Sequence, residues 1–240
     1  MADTLSQTFE ERLQEIEAYL DLLEALERRV QSGPPVIGET TITAQQQKIL
    51  YSCVFLQLYN LVEATVTWCV TAVCEAASDQ GRWTPGDLTS KLRREWVRAK
   101  AWTHIELNEE NRLDRAVELC EALIQSSPVL RFTLARRGNW DDQEIQTITD
   151  RLGCDLQIST EALQGIKRPL RDEKGALALI RDLRNRLGHG SLSFAECGEG
   201  LTVLDLRDLK QRTALYLREV VSAFRTYIDS YGFLIPARRP

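Results

Sequence analysis

Proline, glycine and histidine are scarce in this 240-residue chain, and each scarcity narrows the possible folds and sites. With only seven prolines and 13 glycines, few positions break a helix, and the abundance of Leu, Glu, Arg and Ala favours an all-α fold. Only two histidines, and six cysteines without a C-x-x-C pair, argue against a structural zinc site. We therefore expect no metal and no cofactor, and free cysteine thiols of the kind found in a reducing cytoplasm.

Long hydrophobic runs and a leader sequence are also missing. The N-terminal residues contain no basic region followed by an apolar run, so no secretory signal is expected. The longest charge-free run, Ile49 to Val62, has 14 residues, whereas a membrane-spanning helix needs about 20. These absences predict a cytoplasmic protein without a membrane partner.

Positive charge is concentrated in one part of an otherwise acidic chain. The formal net charge of −5 argues against broad, nonspecific coating of nucleic acid. Residues 167–186, however, carry seven positive and three negative side chains, a local net charge of +4. The positive residues are Lys167, Arg168, Arg171, Lys174, Arg181, Arg184 and Arg186. Arg171, Lys174, Arg181 and Arg186 are predicted to contact RNA, and an ion-paired, solvated helix face is an equally good interpretation for every member except Arg184.

The decapeptide RDLRNRLGHG, residues 181–190, is the most informative stretch of the chain. Helical periodicity runs into it, and Gly188 and Gly190 then flank His189. In a continuous helix, residues five apart point about 140° apart around the axis. A glycine break at this point would let the His189 imidazole turn back toward the Arg184 guanidinium.

The side chains of this stretch suit a phosphodiester substrate. Arginine offers a planar, permanently charged fork that matches phosphate oxygens, as Arg184 would. His189 can take or give a proton near neutrality because the ordinary pKa of histidine is about 6.5. Asn185 can orient either partner or a substrate hydroxyl. The three residues are therefore candidates for metal-free RNA cleavage, in which histidine assists proton transfer and arginine holds the charge on phosphorus.

The Arg–His spacing alone is weak evidence, because the chain contains a second such pair, Arg98 and His104. The wider context of the first pair is more specific. The run Arg184-Asn185-Arg186-Leu187-Gly188-His189-Gly190, followed by Ser193-Phe194 and Glu196-Cys197-Gly198, resembles HEPN-domain proteins with an R-N-x-L-x-H-G motif.

Two further segments are similar to one prokaryotic HEPN subfamily. They are Leu58-Tyr59-Asn60-Leu61-Val62-Glu63-Ala64-Thr65 and the turn Gly138-Asn139-Trp140-Asp141. The similarity covers roughly Gln45 to Phe233. Many members of the family have alanine at the position of Gly188.

The resemblance implies an α-helical bundle, a homodimer that brings two motifs into one cleft, and metal-independent endoribonuclease activity by attack of the 2′-hydroxyl. Such proteins often serve as toxins or antiphage effectors, so a cognate antitoxin or a defence-system protein is an expected partner beside RNA. Some HEPN proteins are non-catalytic. The alternative is therefore an adaptor or antitoxin-like module that binds a partner protein or a nucleotide.

Two polar residues of the most apolar helix are candidates for supporting the motif. Asn60 and Glu63 are three positions apart and hence on one helix face, in otherwise apolar surroundings. A buried carboxylate needs a cationic or hydrogen-bonding partner. Glu63 would therefore pair with Arg184 or orient His189, and the alternative is a purely structural tie to another group.

Periodicity and turn residues predict one helical domain at residues 44–235, preceded by a long extra helix and an extended linker in residues 1–43. Five helices are expected at Thr4–Gln31, Ala44–Ser78, Leu88–Lys100, Asn108–Gln125 and Asp205–Gly232. Another has Asp141 or Asp142 as its cap and ends at Gly153, and the motif helix begins near Arg171 and is left by the backbone at His189. In the fourth, the expected buried side comprises Leu113, Val117, Leu119, Cys120 and Leu123.

Three segments between the helices are less regular in pattern. Cys154 to Pro169 is expected to be mostly loop, and Val129 to Arg137 is either a short strand or irregular. Two glycines favour a small β-hairpin over Ser191 to Val203, just after the motif.

The first helix has a narrow apolar stripe, which allows packing on its own core or on a second subunit.

Overall fold

A computed structural model describes residues 2–30, 33–101, 108–134 and 138–240. The predicted all-α class is confirmed: the described residues form a helical bundle with one very small hairpin. The helices are α1 (Ala2–Val30), α2 (Ala44–Ala77), α3 (Ser90–Ala101), α4 (Glu109–Ile124), α5 (Asp142–Leu152), α6 (Thr160–Lys167), α7 (Ala176–Gly188), α8 (Phe194–Cys197) and α9 (Val203–Asp229). The strands are β1 (Val36–Ile37) and β2 (Thr40–Thr41), which pair antiparallel.

The long helix α2 forms the centre of the bundle. It begins with a capping box in which Thr43 accepts from the Gln46 amide and the Gln46 side chain accepts from the Thr43 amide. Helices α1, α7, α8 and α9 all pack on it. By length and composition alone α2 could cross a bilayer, but a buried core helix has the same properties, and 56% of its most apolar stretch is buried.

Helix α1 shares this core. Its apolar residues Phe9, Leu13, Ile16, Leu20 and Leu23 are all at most 4% exposed and pack in one cluster with α2 and α9. On the α9 side, an ionic cluster adds to the contact. Arg207 pairs there with Glu17, Asp21 and Glu24 of α1. Of the two interpretations left open for the first helix, packing on its own chain is therefore the one observed.

Two predicted irregular segments are helical instead. Helix α6 lies within the stretch expected to be loop, and Ser159 caps it by accepting from the Ala162 amide. Helix α8 occupies the place of the hairpin expected after the motif, and Ser193 and Glu196 form its capping box. Both predictions were wrong because these helices are short, and their Ser-x-x capping signals outweigh the neighbouring glycines. The observed hairpin, β1–β2, lies in the predicted linker.

Helix α4 exists as predicted, but its expected core face is wrong. None of its residues is buried, and Leu113, Val117 and Leu123 are 57%, 46% and 43% exposed. Cys120 is also exposed, and of the five expected residues only Leu119 packs partly against the core. The reason is position: in the part of the chain that the structure describes, α4 packs chiefly on α3 at the edge of the bundle. An apolar stripe predicts a helix face, and it does not predict what covers that face.

Several helix ends differ from the predicted ends. Helix α7 begins at Ala176, after a tight turn in which Asp172 and Glu173 have left-handed backbone conformations. The N-cap of α9 is Thr202. Asp205, which was predicted as the cap, is the N3 residue and accepts from the Thr202 amide in the capping box. For α5, Asp141 is the N-cap of the two candidates Asp141 and Asp142, and Gly153 ends the helix at φ +79°, as predicted. The segment at 129–134 is irregular, and residues 135–137 lie outside the described ranges.

Candidate active site

The motif occupies the C-terminal end of α7, and apolar packing holds that end in place. Leu183 and Leu187 are 0% and 7% exposed and lie in the core cluster shared with α2 and α9. The intervening residues Arg184 and Asn185 are half-buried. The core face of α7 therefore positions the polar motif residues at the rim of the bundle.

The helix ends where the glycine pattern predicted, with His189 as its C-cap. Gly188 is still helical, and His189 keeps helical dihedrals, with φ −91° and ψ 0°. The left-handed residue is Gly190, at φ +70°. The amides of Gly190 and Ser191 donate to the carbonyls of Leu187 and Arg186 at 3.2 and 3.0 Å, which is the Schellman end of a helix. His189 is therefore the residue at which the backbone leaves the helix, as predicted, and the left-handed turn follows it at Gly190.

This ending determines how the two key side chains leave the helix. The His189 amide donates to the Asn185 carbonyl at 2.9 Å, so the helical path is unbroken from Arg184 to His189. Five residues of α-helix rotate side chains by about 140°. His189 is exposed, and its imidazole has no hydrogen-bond partner among the residues described. In one chain, therefore, the imidazole does not turn back onto the guanidinium.

The Arg184 guanidinium lies against an aromatic ring and a side-chain amide. Its central carbon is 4.4 Å from the centroid of the Tyr59 ring, a cation–π distance. Its Nη1 donates to Oδ1 of Asn185 at 3.0 Å, and Nδ2 of Asn185 donates to Oδ1 of Asn139 at 3.0 Å. Asn185 is thus hydrogen-bonded to Arg184, and its role as an orienting residue stays a prediction.

The turn at residues 138–141 joins this arrangement from the other side. The Tyr59 hydroxyl donates to the Gly138 carbonyl at 3.3 Å, and the Asp141 carboxylate pairs with Arg181. The three segments that resembled HEPN proteins in sequence therefore meet in space. Sequence reasoning had assigned no role to Tyr59 or Asn139, although both lie in those segments.

Six of the seven positive residues between 167 and 186 are bound to a carboxylate or a backbone carbonyl, and the seventh, Arg184, donates to the Asn185 side chain. Carboxylates pair with five of them, and the Cys197 carbonyl accepts from Arg171 at 2.8 Å. The five ion pairs are Lys167–Asp142, Arg168–Asp208, Lys174–Asp182, Arg181–Asp141 and Arg186–Asp182. Among the described residues, Arg171 and Arg184 are the two members of this run with no carboxylate within ion-pair distance. RNA contact by Arg171, Lys174, Arg181 and Arg186 stays a prediction, and it would have to compete with these partners.

Asn60 and Glu63 are less buried than their apolar sequence context suggested. Asn60 is exposed, Glu63 is half-buried, and both line a groove of about 750 Å³ between α1 and α2. In the described part of the chain, no ion pair joins Glu63 to Arg184. Glu63 acts on Tyr59 instead: burial raises the pKa of the Tyr59 hydroxyl, and the Glu63 charge raises it further, against a smaller lowering by Arg184. Support of the motif by Asn60 and Glu63 stays a prediction.

The second Arg–His pair of the sequence, Arg98 and His104, lies only partly within the described residues. Arg98 is held by Glu95 in an ion pair, and His104 lies outside the described residues. Within the described ranges, no group of three or more His, Cys, Asp or Glu side chains is arranged to hold a metal ion.

A profile of the MAE_28990-like HEPN family matches residues 1–233 of the chain. The chain belongs to this family. The match includes α1, and the domain boundary predicted at residue 44 stays a prediction. No curated protein and no solved structure matches the chain. HEPN domains are often ribonucleases or nucleotide-binding modules, and this HEPN chain shares the motif and the helical bundle.

Proposed function

We propose that this HEPN chain is a metal-independent endoribonuclease that acts as a homodimer. The proposal rests on the state of two side chains at the end of α7, Arg184 and His189. Among the described residues, Arg171 and Arg184 are the two cations of their run without a carboxylate partner, and Arg171 is bound to the Cys197 carbonyl. His189 is exposed, and no described residue hydrogen-bonds its imidazole. A guanidinium that is not neutralised is available to a phosphate, and a solvated imidazole is available for proton transfer.

The reaction is attack of an RNA 2′-hydroxyl on the adjacent phosphorus. His189 takes the 2′-hydroxyl proton or gives a proton to the departing 5′-oxygen, while Arg184 binds the charge that develops on the phosphoryl oxygens. The O–P bond to the 5′-oxygen breaks as the 2′-oxygen bond forms. The products are a 2′,3′-cyclic phosphate and a free 5′-hydroxyl. No metal ion is needed for these steps.

A second copy of the chain completes the site in this proposal. Because Arg184 and His189 diverge by about 140° on one helix, the His189 that serves a given Arg184 comes from the other protomer. RNA binds in the cleft between the two motifs. We place the protein in the cytoplasm as a toxin or antiphage effector, held inactive by a cognate antitoxin or a defence-system protein.

The test is cleavage of transfer RNA and messenger RNA in EDTA. Wild type should cut and leave cyclic phosphate ends, whereas His189→Ala and Arg184→Ala should not cut. The loss of the histidine should cost about 10²- to 10⁴-fold in rate. Arg184→Lys should also be impaired, because lysine lacks the planar fork. Arg28→Ala is the matched control, since that arginine is 75% exposed on α1 and, among the residues described, pairs with the neighbouring Glu24.

The second candidate is a non-catalytic adaptor that binds a partner protein or a nucleotide. The separation of Arg184 and His189 within one chain favours it, because a single protomer holds no assembled acid–base site. It predicts binding that is indifferent to His189→Ala, and RNA of unchanged length after long incubation. Full cleavage by purified His189→Ala would remove the nuclease assignment.

A further inference from the structure

Four side chains and one backbone carbonyl close a ring of contacts around Arg184. The Tyr59 ring supports the guanidinium at 4.4 Å, and the Tyr59 hydroxyl donates to the Gly138 carbonyl at 3.3 Å. The residue next to Gly138, Asn139, accepts from Asn185 at 3.0 Å, and Asn185 accepts from Arg184 at 3.0 Å. The ring thus joins α2, the 138–141 turn and α7.

We infer that Asn139 and Tyr59 are positioning residues that hold the Arg184 guanidinium in place for a substrate phosphate, with Asn185 as the relay between Asn139 and Arg184. The inference rests on the proposed function for its consequence in catalysis. The contacts that hold Arg184 in place are present whether or not the protein cleaves RNA.

The directions of the two hydrogen bonds require a hydrogen-bond acceptor at position 139. Arg184 can only donate, so it requires the oxygen of the Asn185 carboxamide. That choice turns the Asn185 amide nitrogen toward residue 139, which must therefore offer an oxygen. Any side chain at 139 without an acceptor leaves the Asn185 carboxamide free to flip. A flipped carboxamide would point a donor at Arg184.

The 138–141 turn is firm enough to act as an anchor. Trp140 and Asp141 are 4% and 5% exposed, and Asp141 both caps α5 and pairs with Arg181. A free arginine side chain has about 2 kcal/mol of rotamer entropy, which a fixed guanidinium has already lost before it binds phosphate. The ring therefore preorganises Arg184 rather than adding a new charge to the site.

The first test compares two substitutions of Asn139. Asn139→Ala removes the acceptor and should lower kcat about 10- to 100-fold with little change in KM, because misplacement of a catalytic group acts on the transition state. Asn139→Asp keeps an oxygen at the same place and should stay within about threefold of wild type. Equal losses in both variants, or no loss in Asn139→Ala, would overturn the acceptor role.

The second test separates the face of Tyr59 from its hydroxyl. Tyr59→Phe keeps the aromatic face under Arg184 and should retain most of the activity, whereas Tyr59→Leu should lose about 10-fold through the missing cation–π contact. Tyr59 is fully buried, so Tyr59→Leu can also perturb folding. The Phe variant decides the case: a loss as large as that in Tyr59→Leu would show that the ring face does not matter.

The third test does not depend on cleavage. In ¹⁵N-arginine spectra, the Arg184 Nε–H signal should be rigid in wild type and in Asn139→Asp, and mobile in Asn139→Ala. An unchanged signal in Asn139→Ala would overturn the positioning role even if the enzyme is active. If wild type cuts no RNA while the signal responds as expected, the proposed nuclease function fails and the positioning of Arg184 stands.

Discussion

Arg184 and His189 lie on one unbroken helical path, so their side chains leave α7 about 140° apart. Arg184 is packed inward against Tyr59, and His189 is exposed at the helix end. A joint site built from both therefore has a geometric requirement. The guanidinium of one chain must meet the imidazole of another.

We expect mixed dimers to reveal this arrangement. A heterodimer of one Arg184→Ala chain and one His189→Ala chain, isolated through two different affinity tags, should recover about half of the wild-type cleavage rate, since one of its two sites is intact. Each homodimer of a single variant should be inactive. RNA cleavage by the isolated dimers is the measurement.

The matched control places both substitutions in the same chain of the heterodimer. A heterodimer of wild type with the Arg184→Ala/His189→Ala double variant has no intact site if each site spans both chains. If both residues of a site belonged to one chain, this control would keep about half of the activity and the first heterodimer would keep none. That outcome would contradict the composite site.

The two glycines of the motif should respond oppositely to alanine. Gly190→Ala forces a Cβ into a left-handed conformation at φ +70° and should cost about 1–2 kcal/mol of unfolding free energy. Gly188→Ala lies in the helix, with no heavy atom within 4 Å of the new Cβ, and should add about 0.5 kcal/mol. Urea unfolding of the two variants provides the comparison. A destabilised Gly188→Ala would contradict the helical assignment of that residue.

The buried carboxylate of Glu95 should make stability fall in acid. Burial alone would raise its pKa, but hydrogen bonds and charges from Arg151 and Arg98 outweigh it and hold the pKa below 4.5. The stabilisation is therefore fully present above pH 4.5 and is lost as the pH falls through the folded-state pKa.

The variant Glu95→Gln tests this dependence. At neutral pH it should lose about 1–3 kcal/mol of unfolding free energy, because the side chain is 3% exposed and both arginines lose their charge partner. Between about pH 5 and 3 its unfolding free energy should fall less steeply than that of wild type. Parallel pH profiles for the two proteins would show that Glu95 is not the titrating group.

Asp141 should contribute through two separable contacts, the cap of α5 and the ion pair with Arg181. Asp141→Asn keeps a good N-cap and loses only the charge, which should cost less than about 1 kcal/mol for a pair open to solvent on the arginine side. Asp141→Ala loses both and should cost about 1–2 kcal/mol more. Thermal and urea unfolding measure the difference. Equal losses would mean that the cap contributes nothing.

Local signals in the sequence predicted most of the helices. Apolar residues at three- and four-residue steps gave the positions of α1, α2 and α9, and Asp141 and Gly153 marked both ends of α5. The short helices α6 and α8 were missed, although Ser159 and Ser193 are ordinary capping residues. A four-residue helix such as α8 carries too few apolar positions to show a period.

The sequence by itself determined what depends on neighbours along the chain: the helices, most of their caps, and a motif with an arginine, an asparagine and a histidine at one helix end. The tertiary structure alone decided which cations of residues 167–186 are ion-paired and that Tyr59 and Asn139 contact Arg184 and Asn185. It also decided that α1 is buried in the core, while α4 has no buried residue in the part of the chain that the structure describes. Asn139 and Asn185 are 46 residues apart, and Tyr59 and Gly138 are 79 apart. Helical periodicity is set by hydrogen bonds between residues four apart in the chain. Contacts between residues 46 or 79 positions apart follow only from how the helices pack.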